Sequence, residues 1–134
     1  MAKVDFGAKP IMVPQPVLIV GTYDENGVPN AMNAAWGITT DYNEISISMS
    51  SHKTTDNVVK TCAFTVSMAT VDTVVACDYV GIESARKVPN KVEKAGLHAV
   101  KSTRVNAPIF EELPMVLECK FKSFDKNNVY IYKN

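Results

Sequence analysis

Residues 30–57 read N-A-M-N-A-A-W-G-I-T-T-D-Y-N-E-I-S-I-S-M-S-S-H-K-T-T-D-N. Two strand-like segments end in a run of hydroxyl, amide and cationic groups at the point where a helix should begin. Ala31, Ala34, Ala35 and Gly37 leave room against a strand backbone for a flat ligand, because side chains longer than a methyl would fill that space. Ser50, Ser51, His52, Lys53, Thr54 and Thr55 offer hydrogen-bond donors and one sure cation. Backbone N–H groups at a helix start favour an anion, so this end suits a phosphate. A planar group at one end and a phosphate at the other describe a nucleotide-like cofactor.

Upstream, V-L-I-V-G-T-Y (residues 17–23) is apolar and β-branched, which predicts a buried strand. Asp24-Glu25-Asn26-Gly27 follows, and Asn-Gly is the strongest short hairpin signal because both residues tolerate positive φ. The chain is therefore expected to return as one antiparallel strand over residues 30–40. In residues 44–50, Ile45, Ile47 and Met49 alternate with Ser46, Ser48 and Ser50, the period of a half-buried strand.

Downstream, residues 54–57 supply helix-cap types before a short helix, and A-F-T-V-S-M (63–68) is a strand. Residues 71–80 have helical spacing with a stop near Gly81. The charged stretch 83–96, interrupted by Pro89, reads as a loop with a short helix, and residues 99–105, 115–123 and 129–132 are further strands. Many short antiparallel strands with few helices predict a mainly β protein, a small barrel rather than a doubly wound sheet.

With 134 residues the chain is expected to form a single domain spanning 1–134. Formal net charge is zero and no basic stripe is present, which argues against nucleic acid as a partner. The longest apolar run is too short to cross a membrane. The opening M-A-K-V-D-F has no signal-like apolar segment, so a cytoplasmic location is the expectation. Cys62, Cys77 and Cys119 are an odd, scattered set without a C-x-x-C pair, and no metal site is expected.

Each motif also has a plain structural reading. The Ser50–Asn57 run alone is a capped helix with a solvated lysine, Trp36 a core anchor, His52 a surface residue, and Cys62 and Cys77 buried inert thiols. No G-x-x-x-x-G-K-[ST], G-x-G-x-x-G or G-x-S-x-G pattern occurs, which sets aside P-loop, Rossmann and hydrolase chemistry.

Taken in order, P-V-L-I-V-G-T-Y-D-E-N-G-V-P-N-A-M-N-A-A-W, I-S-I-S-M-S-S-H-K-T-T-D-N-V and D-Y-V-G-I-E-S-A-R-K-V-P-N-K-V-E-K-A-G-L closely resemble the flavin reductase-like family, nearest its flavoredoxin branch. The resemblance implies an FMN-binding split β-barrel that pairs as a homodimer, with flavin near the subunit interface. It implies that Asn33, Ala34, Ala35 and Trp36 border the isoalloxazine ring and that Ser48, Met49 and Ser50 approach the ribityl chain. Lys53, Thr54 and Asn57 would surround the phosphate with Ser51 and His52 as neighbours, and Lys91 would lie near the cofactor.

NADH or NADPH would be the electron donor and another protein or small acceptor the recipient. No side chain is expected to act as a catalytic acid, base or nucleophile, because the flavin carries the hard chemistry. Two departures are visible. Ala85-Arg86 stands where the family usually has glycine-arginine, and relatives commonly continue past V-Y-I-Y-K-N, leaving open a barrel without its C-terminal strands. Two alternatives remain: a non-enzymatic FMN electron carrier, and a degenerate barrel serving as an interaction module.

Overall fold

Strand β1 (Leu18–Tyr23) is apolar on both faces because it separates two cores. Leu18 and Val20 face one core with Ile47, Val58, Phe64 and Val66. Ile19, on the opposite face, packs with Ala31, Val80, Val92 and Phe110. These elements belong to a computed structural model that describes residues 2–9, 12–124 and 129–133.

The hairpin after β1 forms as expected. Asp24 Oδ1 accepts the N–H groups of Asn26 and Val28, both at 2.9 Å, and Gly27 takes φ +76°. Strand β2 (Pro29–Ala34) then pairs antiparallel with β1, with Leu18 opposite Ala34 and Thr22 opposite Asn30. Strands β3 (Gly37–Asp41) and β4 (Glu44–Ser48) make the next hairpin, and β5 (Ala63–Met68), β8 (Val116–Phe124) and β9 (Val129–Lys133) complete the large sheet.

Its order is β2-β1-β5-β8-β9-β4-β3. The two edge strands, β2 and β3, are separated in sequence only by residues 35 and 36. So short a link spans about 10 Å at most, so the sheet must curl until its edges meet. A seven-stranded barrel results, with β2 and β3 adjacent but not paired. Gly37 makes room for Leu18 at this seam, since a Cβ there would meet Leu18 Cδ1 at 2.4 Å.

Three helices cover the barrel: α1 (Lys53–Thr61), α2 (Val74–Ile82) and α3 (Lys91–Lys94). A two-stranded sheet of β6 (Ala99–Lys101) and β7 (Pro108–Phe110) lies beside them. No helix among the described residues is long and apolar enough to cross a membrane.

Several expectations are corrected. The strand expected over 30–40 is two strands, because the chain changes sheet edges at residues 35 and 36. Trp36 at that crossing is 61% exposed and anchors no core. Helix α1 starts earlier than residue 54, since Thr55 Oγ1 accepts the His52 N–H at 2.9 Å and fixes His52 as the cap position. Helix α2 starts later than residue 71 because Thr73 Oγ1 accepts the Thr70 N–H at 2.8 Å in a preceding turn.

Helix α2 ends at Ile82, near Gly81 as expected, with Gly81 inside its last turn. The strand expected over 99–105 ends at Lys101, where Ser102 Oγ accepts the N–H groups of Arg104 and Val105 at 3.0 Å; β7, its partner, was not foreseen. Cys62 is exposed at the end of α1 with φ +55°, not buried. Cys77 and Cys119 are buried, and burial pushes the Cys119 thiol up to about 12.

Candidate functional site

The end of β4 delivers the chain to the first turn of α1, which faces β2 across a hollow of about 200 Å³. Asn30, Met32 and Asn33 of β2 line one side, and Lys53 and Thr54 the side toward the helix start. The end of α2 and the loop after it, Gly81 to Ala85, close the third side with Lys91. A shallower hollow of about 230 Å³ continues past Ala34, Ala35 and Trp36, facing Ser48, Met49 and Ser50 of the neighbouring strand end.

Met32, Asn33 and His52 line both hollows, so the two form one groove. Each alone is smaller than the roughly 300–1,000 Å³ usual for a bound organic ligand, whereas the joined groove falls within that range.

The two ends differ in chemistry. At the α1 end the first N–H groups of the helix are available for an anion, and half-buried Lys53 adds charge. Asp56, the acidic residue of that first turn, is paired with Arg86 at 2.9 Å, so its charge does not oppose an anion. Ser50 Oγ and His52 Nε2 lie 2.9 Å apart and hold the imidazole at the junction. At the other end small Ala34 and Ala35 form a shelf beside the exposed Trp36. Met49 is buried in the barrel core, so it meets the groove mainly through its backbone.

Two residues set the wall contributed by α2. Lys91 is only 3% exposed, and its Nζ donates to the carbonyls of Val80 and Glu83, both at 2.7 Å. These are orphan acceptors at a helix end, so the ammonium serves as a cap. Burial lowers its pKa to about 8, opposed by nearby Glu83. Gly81 lets the Asn33 side chain rest against α2, since a Cβ there would lie 2.3 Å from Asn33 Nδ2. Asn33 Oδ1 is buried without a partner.

Eleven of the thirteen residues nominated from sequence line the groove. Two do not. Ser51 is exposed outside it, and Asn57 lies behind it, donating to Thr22 Oγ1 at 3.0 Å. Sequence reasoning left out Asn30, Met32 and the five residues from Gly81 to Ala85 as lining residues. The Gly81-Ile82-Glu83-Ser84 motif could have supplied four of these. Asn30 and Met32 gave no signal apart from their place on β2.

A model of the flavin reductase-like domain family matches residues 11–129. The chain belongs to this family. Flavoredoxin of Desulfovibrio vulgaris (Miyazaki F) shares 31% identity at a TM-score of 0.93, over 98% of this chain and 73% of that one. Flavoredoxin from Methanosarcina acetivorans superposes with a TM-score of 0.81 at 22% identity, over 98% and 71%.

An FMN-binding domain of flavin reductase-like enzymes from Shewanella baltica OS155 gives a TM-score of 0.82 at 21% identity, over 89% of this chain and 65% of that one. The latter two show the fold alone. No curated protein matches the chain by sequence. This flavin reductase-like domain therefore has the split-barrel architecture expected from its sequence, and its groove lies where β2, β4 and α1 converge.

Proposed function

We propose that the groove binds FMN, with the phosphate at the start of α1 and the ring on the Ala34-Ala35 shelf, and that the protein is an oxidoreductase. Electrons would pass from NADH or NADPH through the flavin to an acceptor protein or molecule. The observation that carries this reading is the continuity of the groove, shallow and floored by small Ala34 and Ala35 at one end and bordered by Lys53 and the start of α1 at the other. The unpartnered Asn33 Oδ1 fits a ligand with a ring N–H, and Lys53 with the α1 N–H groups fits a phosphate.

Bound there, FMN would supply the redox chemistry that the side chains lack. The protein's part is to hold the ring on its shelf, keep Asn33 and Lys91 at its border, and anchor the phosphate through Lys53 and Thr54. We further infer a homodimer in the cytoplasm. Strand β3 is a sheet edge with Trp36 61% and Ile38 58% exposed, beside the open ring end, and a second copy would cover it. A monomer by light scattering would remove that part of the reading.

Titrating FMN and riboflavin into the protein while following flavin fluorescence tests the cofactor. Lys53→Ala should weaken FMN about tenfold and riboflavin little, because a charge-assisted hydrogen bond is lost only with the phosphate. Equal weakening would move Lys53 off the phosphate, and failure of both flavins to bind native protein would sink the proposal. Anaerobic mixing of the FMN-loaded protein with NADH and NADPH tests the reductase. Bleaching of the flavin band is expected with at least one donor. No bleaching with either would leave the electron-carrier alternative.

A further inference from the structure

Behind the groove, four polar side chains close a ring between the β1–β2 hairpin and α1. Thr22 and Asn30 are direct cross-strand partners. Asn30 Nδ2 donates to Thr54 Oγ1 at 2.7 Å, and Thr54 lies one helical turn from Asn57. Asn57 Nδ2 donates back to Thr22 Oγ1 at 3.0 Å. All four residues are at most 4% exposed.

The ring does not satisfy itself. Asn30 Oδ1 and Asn57 Oδ1 are buried with no partner. Each threonine oxygen accepts an amide N–H, yet neither hydroxyl proton has an acceptor among the described residues. Rotating either amide by half a turn would let the threonine hydroxyl donate to the amide oxygen but would leave the amide NH2 as the orphan instead, so the ring still lacks a partner. Buried polar groups in folded proteins are almost always paired, so two such orphans in one ring of side chains call for an occupant.

The chemistry of the ring selects it. No carboxylate is present to balance a divalent cation and no cationic group to balance an anion. What is offered is two acceptors and two hydroxyl donors, the complement of one water molecule.

We propose that an internal water is bound in this ring, donating to Asn30 Oδ1 and Asn57 Oδ1 and accepting from the hydroxyls of Thr22 and Thr54. It ties the first turns of α1 to the β1–β2 hairpin and fixes Asn30 and Thr54, both of which line the groove. The site stands whether or not a flavin occupies the groove in front of it.

A high-resolution crystal structure of the whole chain, grown with and without rubidium, tests the assignment. One solvent peak within hydrogen-bond distance of the four side chains, without rubidium anomalous signal, is expected. Anomalous signal at the peak would make it a monovalent-cation site and overturn the water. No peak, with both amide oxygens bonded directly to protein groups, would overturn the site altogether. Oxygen-17 magnetic relaxation dispersion gives an independent count of long-lived waters. The near-isosteric Thr22→Val should lower that count by one, and an unchanged count in a folded variant would also overturn the proposal.

Discussion

Lys91→Met should lose about 2 kcal/mol of stability at neutral pH, and the gap to the native protein should widen as pH rises above about 8. The first loss arises because the Val80 and Glu83 carbonyls are left without the donor that each has at 2.7 Å, the cost expected of a buried acceptor abandoned by its partner. The pH dependence follows from linkage. Burial lowers the Lys91 pKa from its ordinary 10.5 to about 8. Between these values the unfolded chain holds a proton that the folded chain has released, so the native protein gains stability as pH rises through this window.

The gain approaches about 3 kcal/mol when the window has been crossed, and a methionine cannot share it. Neutral Lys91 still has N–H groups to donate, so the helix cap survives its deprotonation. Urea unfolding of both proteins across the alkaline range measures the difference directly and cancels the titration of other groups. Parallel stability curves would show that Lys91 keeps an ordinary pKa and is not held in the buried geometry.

Elements governed by neighbouring residues were legible in the sequence. Residues 17–23, the Asn-Gly turn, the alternation at 44–50 and A-F-T-V-S-M each contain their own pattern, and β1, β4 and β5 form within two residues of it. The crossing at Ala35-Trp36 was not legible, because the partners that separate β2 from β3 lie far away along the chain. The small residues there were read only as ligand space, whereas Gly37 also makes room for Leu18.

The site was legible in outline for a related reason. Its helix start carries local cap and cation signals, but Asn57 shares that helix and turns toward Thr22, and helical spacing alone does not say which face meets the ligand. Gly81 shows the same limit. Glycine near the end of an apolar helical run commonly marks its stop, and only the side chain packed against it reveals another purpose.

That purpose predicts the second large effect, which rests on the flavin reading. Gly81→Ala adds a Cβ 2.3 Å from Asn33 Nδ2 and 2.6 Å from its Cγ, so Asn33 must move. Asn33 Cβ, at 3.1 Å, is itself tighter than ordinary contact, so rotating the amide does not give full relief. Against this, alanine in place of a helical glycine gains about 1 kcal/mol of helix propensity, which offsets part of the strain of overpacking.

Stability should therefore change by less than about 1 kcal/mol, while Asn33 leaves the junction of the two hollows. FMN and riboflavin affinity should both fall between about tenfold and a hundredfold, since an amide contact is lost and the groove is partly filled. Asn33→Ala removes the obstructed side chain, so adding Gly81→Ala to it should cost little more. Equilibrium titrations of native protein, both single variants and the double variant close this cycle. Additive losses would mean that the two residues act separately and that Gly81 does not set the position of Asn33.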